Sequence, residues 1–155
     1  MKNGTTLVEL LVVIAIVGIL ATVTFLNLFG TRRQNELNST SQAIVALLRE
    51  ARSRSTTQVS STSWGVHFEN SIATKPFYAL FFSSTYSPAT TVGYYRLPPS
   101  VGYATSSILS GSFKKITFSQ LNGLASVSTS VSIYLLTSPS NSSTINIASS
   151  GAVSY

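Results

Sequence analysis

The side chains able to do acid, base or metal chemistry are few. They are Glu9, Glu36, Glu50, Glu69 and the single histidine, His67; the chain has neither Asp nor Cys. Without cysteine there is no disulfide framework, thiol nucleophile, Cys-ligated zinc or iron–sulfur centre. His67 and Glu69 share one strand face about 7 Å apart, a spacing that suits a proton-sharing pair or half a metal site. No third ligand follows at a suitable spacing, and the face they share reads as the outward, solvated one. The 28 Ser and 18 Thr include no Gly-x-Ser-x-Gly elbow, and glycine-rich phosphate loops are absent. Acids cease after Glu69, so a calcium site of several carboxylates is excluded beyond it. An enzyme, a metal centre and a cofactor are therefore not expected. The hydroxyls read as a low-charge exposed surface.

Glu9 is the acid in an unusual place. The chain of 155 residues and 16.5 kDa suits one domain. Only 9% of its residues are charged, against about 25% in average soluble proteins, and its mean hydropathy is +0.31. Immediately after Glu9, residues 10–31 form a stretch of 22 without an ionisable side chain. Its first half, Leu10-Leu11-Val12-Val13-Ile14-Ala15-Ile16-Val17-Gly18-Ile19-Leu20, is apolar on every side and has no solvent face to offer. A helix of ~20 such residues spans the ~30 Å hydrocarbon core of a bilayer. The run is longer than a signal-peptide core of ~7–15 residues, and Thr22-Val23-Thr24-Phe25-Leu26 offers no small-residue cleavage site. A carboxylate at the centre of such a helix costs roughly 2.5–3.5 kcal/mol on insertion scales. At the shallower depth of Glu9 the cost is less, but a partner for the charge is still expected.

The residues Lys-Asn-Gly-Thr-Thr-Leu-Val-Glu-Leu-Leu-Val-Val-Ile-Ala-Ile-Val-Gly-Ile, from Lys2 to Ile19, resemble the class III signal of type IV pilins and type II secretion pseudopilins. Gly4 matches the last residue of a short basic leader. Thr6-Leu7-Val8-Glu9-Leu10 matches the conserved block, and Gly18 falls where such helices often carry Gly. The resemblance implies cleavage by a prepilin peptidase between Gly4 and Thr5, then methylation of the new amine. Thr5 stands where the family usually has Phe. The positive amine of Thr5 would lie four residues before Glu9, so one subunit's carboxylate can pair with its neighbour's amine. Such a buried pair sets the axial register, because a slipped neighbour leaves a bare charge. The plainer alternative places Glu9 at the interface, favouring the helix amino end through the dipole. Lys2 fits the positive-inside rule. Leu10, Val13, Ile14, Val17, Ile19 and Leu20 would face lipid and then the bundle of like helices.

Residues 34–57 keep the helical period but become one-sided. Leu37, Ser41, Ile44, Leu48, Ala51 and Ser55 recur every three or four residues as one small-to-apolar face. Gly30 reads as a bend and no Pro precedes Pro76, so one long helix is expected. After Gln58 the pattern turns to strands separated by Gly, Pro, Ser and Asn turns. Trp64, Val66 and Phe68 alternate with Gly65, His67 and Glu69. A Phe77-Tyr78-Ala79-Leu80-Phe81-Phe82 run follows, then Tyr94-Tyr95-Arg96-Leu97, Ile116 with Phe118, and an Asn122-Gly123 turn. The longest alternation is Ala125, Val127, Thr129, Val131, Ile133 and Leu135; Ile145 with Ile147, and Val153 after Gly151, complete the series. Several short antiparallel strands fit a sheet with one buried face, with Trp64 and Phe68 as core plugs.

The expected class is α+β with a pilin-like fold: a long amino-terminal helix, half membrane and half amphipathic, packed on an antiparallel sheet domain. The segments read as a leader at 1–4, a transmembrane or bundle half at 5–30, an amphipathic half at 31–58 and a β-rich head at 59–155. The layout looks most like the minor pseudopilin H / FimT family, whose members carry a late strand, Gly turn, strand and Gly-containing terminal strand. It implies a non-catalytic subunit of a type II secretion pseudopilus or type IV pilus. Such a subunit waits in the inner membrane with its head outside the cytoplasm. Its partners are other pilins or pseudopilins, the prepilin peptidase, the assembly platform, and the lipid bilayer before assembly. A main pilin subunit is one alternative. A DNA-binding minor pilin is another, since the formal charge is +6 and the pI ≈ 9.9 and phosphate contacts need clustered Lys and Arg. Arg49, Arg52, Arg54, Lys114 and Lys115 are its candidate contacts. The last 40 residues carry no charged side chain, which speaks against a DNA-capturing loop there.

Overall fold

The computed structural model describes residues 6–155, except for the side chains of residues 23–30. It is α+β. One helix, α1 (Leu7–Thr56, 50 residues), precedes eight strands. These are β1 (Trp64–Glu69), β2 (Phe77–Phe82), β3 (Thr91–Arg96), β4 (Val101–Tyr103), β5 (Phe113–Phe118), β6 (Thr129–Leu135), β7 (Ser138–Ile147) and β8 (Val153–Ser154). The chain divides into two compact units, one up to Gln34 and one from Asn35 to Tyr155.

In the second unit, the amphipathic half of α1 supplies one wall of the core. Leu37, Ser41, Ile44, Leu48, Ala51 and Ser55 are all buried, and Thr40, Val45 and Leu47 widen the face. The hydroxyls in this face are satisfied locally. Thr40 Oγ1 donates to Glu36 O at 2.7 Å and Ser41 Oγ to Leu37 O at 3.0 Å. Ser55 Oγ accepts from the Trp64 backbone N at 2.8 Å. Small residues that bring their own acceptors can thus be buried without orphaned groups. The helix stops where Gln58, Ser60 and Ser61 take positive φ. There Trp64 Nε1 donates to Val59 O at 2.8 Å, tying the start of β1 to the helix end. Leu48 is fully buried among the core side chains. Leu48→Ala is therefore expected to cost about 2–5 kcal/mol of stability, read from the urea midpoint followed by the fluorescence of Trp64.

The strands form two antiparallel sheets rather than the one expected, in the orders β3-β2-β1-β5 and β4-β6-β7-β8. The chain passes between them three times, after β3, after β4 and after β5. Leu121 and Gly123 adopt left-handed backbone, and Ser119 N donates to Leu124 O at 2.9 Å. The chain therefore turns back on itself at the last of these crossings, before β6 pairs with β4. This also shortens the expected alternation from Ala125. Ala125 makes only a single bridge to Phe118, Val127 is 45% exposed, and β6 proper starts at Thr129. From there Val131, Ile133 and Leu135 are buried as the period requires.

The outward face assigned to His67 is also corrected. His67 is only 3% exposed, because the first sheet is covered on both sides. Trp64, Val66 and Phe68 face the helix-side core, where Trp64 and Phe68 are plugs as expected. On the other face, Tyr86 from the β2–β3 connection lies flat over His67, with ring centroids 3.8 Å apart and planes at 4°. Phe113 and Phe77 flank it at 5.3 and 5.9 Å.

Candidate functional site

The candidate site begins at the amino end of α1. Lys2, Gly4 and Thr5, with the rest of the 1–4 leader, lie outside the described residues. Thr6 caps the helix: its Oγ1 accepts from Glu9 N at 3.3 Å, and its carbonyl accepts from Leu10 N at 3.1 Å. Thr6-Leu7-Val8-Glu9 is a Thr-x-x-Glu capping sequence, a local signal that the motif reading passed over. It fixes Glu9 as the third residue of the helix, where the dipole's positive end favours a carboxylate. Glu9 is exposed and, among the described residues, makes no ion pair.

Leu10, Val13, Ile14, Val17, Ile19 and Leu20 are 52–67% exposed. Leu11, Val12 and Ile16 share that exposure, so the apolar surface runs round the helix rather than along a stripe. Among the described residues no helix is long and apolar enough to cross a membrane. Residues 7–22, the apolar turns whose side chains are described, amount to about 24 Å of helix at ~1.5 Å per residue.

The five basic residues considered as nucleic-acid contacts are divided between α1 and β5, and each has an intramolecular acceptor. Arg49 and Arg52 donate to the carbonyls of Val153 and Ser150 at 3.1 and 3.2 Å, fastening the β8 region to the helix. Arg54 pairs with Glu50 at 2.6 Å and lies 4.7 Å over the Trp64 ring. Lys114 donates to Ser130 O at 2.9 Å and to Thr129 Oγ1 at 3.2 Å, joining the two sheets, and burial lowers its pKa. Lys115 donates to Ser84 O at 2.9 Å, steadying the loop that carries Tyr86. No pattern in the sequence pointed to these tethers, because their acceptors are distant backbone carbonyls.

His67 and Glu69 do meet, Nε2 to Oε2 at 3.2 Å, while the buried Nδ1 has no hydrogen-bond partner among the described residues. Among the described residues no group of three His, Cys, Asp or Glu side chains converges. Burial pushes the His67 pKa below 6.5 against the opposing pull of Glu69, and Lys115 adds to the lowering. The folded state thus favours neutral imidazole. Its contribution to stability is complete above the unfolded value of 6.5 and is lost as pH falls through the lowered folded value. His67→Phe is expected to flatten the decline in urea midpoint between neutral pH and about pH 5. A decline of unchanged steepness would assign it to the carboxylates instead.

The family profile for the prokaryotic N-terminal methylation motif matches residues 1–25. No curated protein and no solved structure matches the chain. The motif is that of a type IV pilin-like subunit carrying a prepilin-type signal. It implies processing by prepilin peptidase, assembly with other pilins, and anchoring of the N-terminus at the inner membrane.

Proposed function

We propose that the protein is a non-catalytic fibre subunit with a pilin-like fold, a minor pseudopilin or pilin of the pseudopilin H / FimT kind. It is cleaved between Gly4 and Thr5, methylated on the new amine, and held in the inner membrane until a type II secretion pseudopilus or type IV pilus assembles. The observation that carries this reading is the contrast between the two halves of α1. From Leu7 to Leu20 the apolar side chains are exposed on every side, with Glu9 as the sole charge among them. From Leu37 to Ser55 one face is buried in the second unit's core. The first half needs an apolar environment that the chain does not itself provide. Lipid supplies it before assembly and a bundle of like helices supplies it afterwards.

In this reading Leu10, Val13, Ile14, Val17, Ile19 and Leu20 make the bundle surface, and Glu9 pairs with the neighbour's amino-terminal nitrogen. The head coats the outside of the fibre, while the assembly platform and its ATPase supply the work. Mass spectrometry of the protein from cells with an active prepilin peptidase tests the first step. The expected product starts at Thr5 with one added methyl group. An intact Met1-Lys2-Asn3-Gly4 start would overturn the assembly reading.

A further inference from the structure

The second unit has an exposed apolar tip that the fibre reading does not use. Ile72 is 80% exposed, Leu109 65% and Phe113 67%. They are not loose loop residues. Asn70 N donates to Ser112 O at 2.9 Å, Gly111 N to Asn70 O at 2.7 Å, and Asn70 Nδ2 to Ile108 O at 3.0 Å. These bonds weld the β1–β2 turn to the β4–β5 connection. Glu69 pairs with Phe113 across the sheet, and Ile72 Cδ1 lies 3.1 Å from where a Cβ on Gly111 would stand.

Beside the tip opens a cleft of about 450 Å³, lined by Leu97, Pro98, Pro99, Tyr134 and Leu136, with Lys75 as its one charged residue. The cleft reaches Asn70 and Ser110, so it is continuous with the welded turns. The two acids at this end are engaged by neighbours, Glu69 by His67 at 3.2 Å and Glu36 by the Ser100 hydroxyl, and neither lines the cleft. Tip and cleft occupy the end of the unit where the chain enters it. There Glu36 accepts a hydrogen bond from the Ser100 hydroxyl, and Leu97 N donates to Pro76 O at 3.0 Å. That entry point follows directly on Arg32, Arg33 and the apolar run.

We propose that this end of the head is a lipid-contacting surface. Ile72, Leu109 and Phe113 enter the interface of the bilayer that holds the subunit before assembly, and Lys75 binds the phosphates of anionic phospholipids. The inference rests on the membrane-anchored reading above. Apolar side chains beside a cleft whose one charged lining residue is a lysine match an anionic bilayer surface. The same tip would have to leave lipid when the subunit enters a fibre.

The absence of native cysteine makes the test direct. In the full chain, single cysteines replace Ile72 or, at the far end of the unit, Gln120. Each is labelled with an environment-sensitive fluorophore and reconstituted into phosphatidylcholine vesicles with or without phosphatidylglycerol. Nitroxide-labelled lipids serve as the quencher. Quenching at position 72 is expected to exceed that at 120 several-fold when phosphatidylglycerol is present. Lys75→Glu or high salt should weaken the phosphatidylglycerol-dependent part, roughly fivefold for the lysine. Equal quenching at the two positions, in protein that still floats with its vesicles, overturns the head contact and leaves the anchor standing. Shielding at 72 that rises with protein density and ignores phosphatidylglycerol assigns the surface to a neighbouring copy and likewise overturns the proposal. Protein that fails to float overturns the anchor, and the lipid surface with it.

Discussion

Replacing Gly151 with alanine is expected to cost roughly 3 kcal/mol or more. Three effects coincide there. Gly151 has φ +79°, a conformation that L side chains rarely adopt. A Cβ would collide with the carbonyl oxygen of Gly123, a backbone atom with little freedom to retreat. It would also stand 2.8 Å from Arg52 Nε, disturbing the guanidinium that holds Ser150 O. Gly123 is itself constrained, with φ +62° and Thr56 Cγ2 2.7 Å from its would-be Cβ. Two glycine backbones and one arginine are thus stacked against the last turns of α1. Urea unfolding of the full chain in mild detergent, followed by Trp64 emission, measures the loss. Ser150→Ala next door keeps the backbone carbonyl that Arg52 grips and loses only an exposed 3.4 Å bond from Ala152 N to its Oγ, so it should stay within about 0.5 kcal/mol of the parent. Equal midpoints for the two variants would show that this junction contributes little.

The second large effect is on assembly. Glu9→Ala is expected to lower incorporation into fibres at least ~10-fold while leaving the amount in the membrane unchanged. The physical reason lies in what the apolar half of α1 gains by leaving lipid. Lipid tails and neighbouring helices are equally apolar, so the transfer carries little hydrophobic driving force. Selectivity and register must come from specific contacts. Removing one partner of a buried charge pair costs about 3–5 kcal/mol, because the other charge stays bare, and ~1.4 kcal/mol is a factor of ten. Immunoblots of sheared fibres against membrane fractions give the ratio directly. Fibres that contain Glu9→Ala protein at the parent's ratio and axial spacing would remove the register role, leaving Glu9 as a helix-dipole partner beside the Thr6 cap.

The local parts of this fold were legible in sequence and the non-local parts were not. The face Leu37, Ser41, Ile44, Leu48, Ala51 and Ser55 could be read because a helix repeats every 3.6 residues, whatever it packs against. Its serines fit because each finds a carbonyl or amide within reach. Trp64 and Phe68 followed from strand alternation for the same reason. The burial of His67 could not be read this way, since its cover, Tyr86, arrives from a loop 19 positions further on. The division into two sheets interleaves β4 and β5, which no local pattern announces, and its last crossing uses left-handed backbone at Leu121, a residue type that gives no warning of it. At the candidate site, Glu9 was conspicuous because a carboxylate is costly beside an apolar run. The tethers made by Arg49, Arg52, Lys114 and Lys115 were invisible, since any carbonyl in the chain can serve as acceptor.

The Arg49 and Arg52 bonds join residues 104 and 98 positions apart. Contacts of such separation close late and slowly. A growing polypeptide therefore carries both arginines long before the ribosome makes the carbonyls they grip. Until then the helix has been synthesised but its partner strand has not, and the head has no finished core to lock. A chain in that condition has its helix made but its head still uncompacted until the last ten residues have been added.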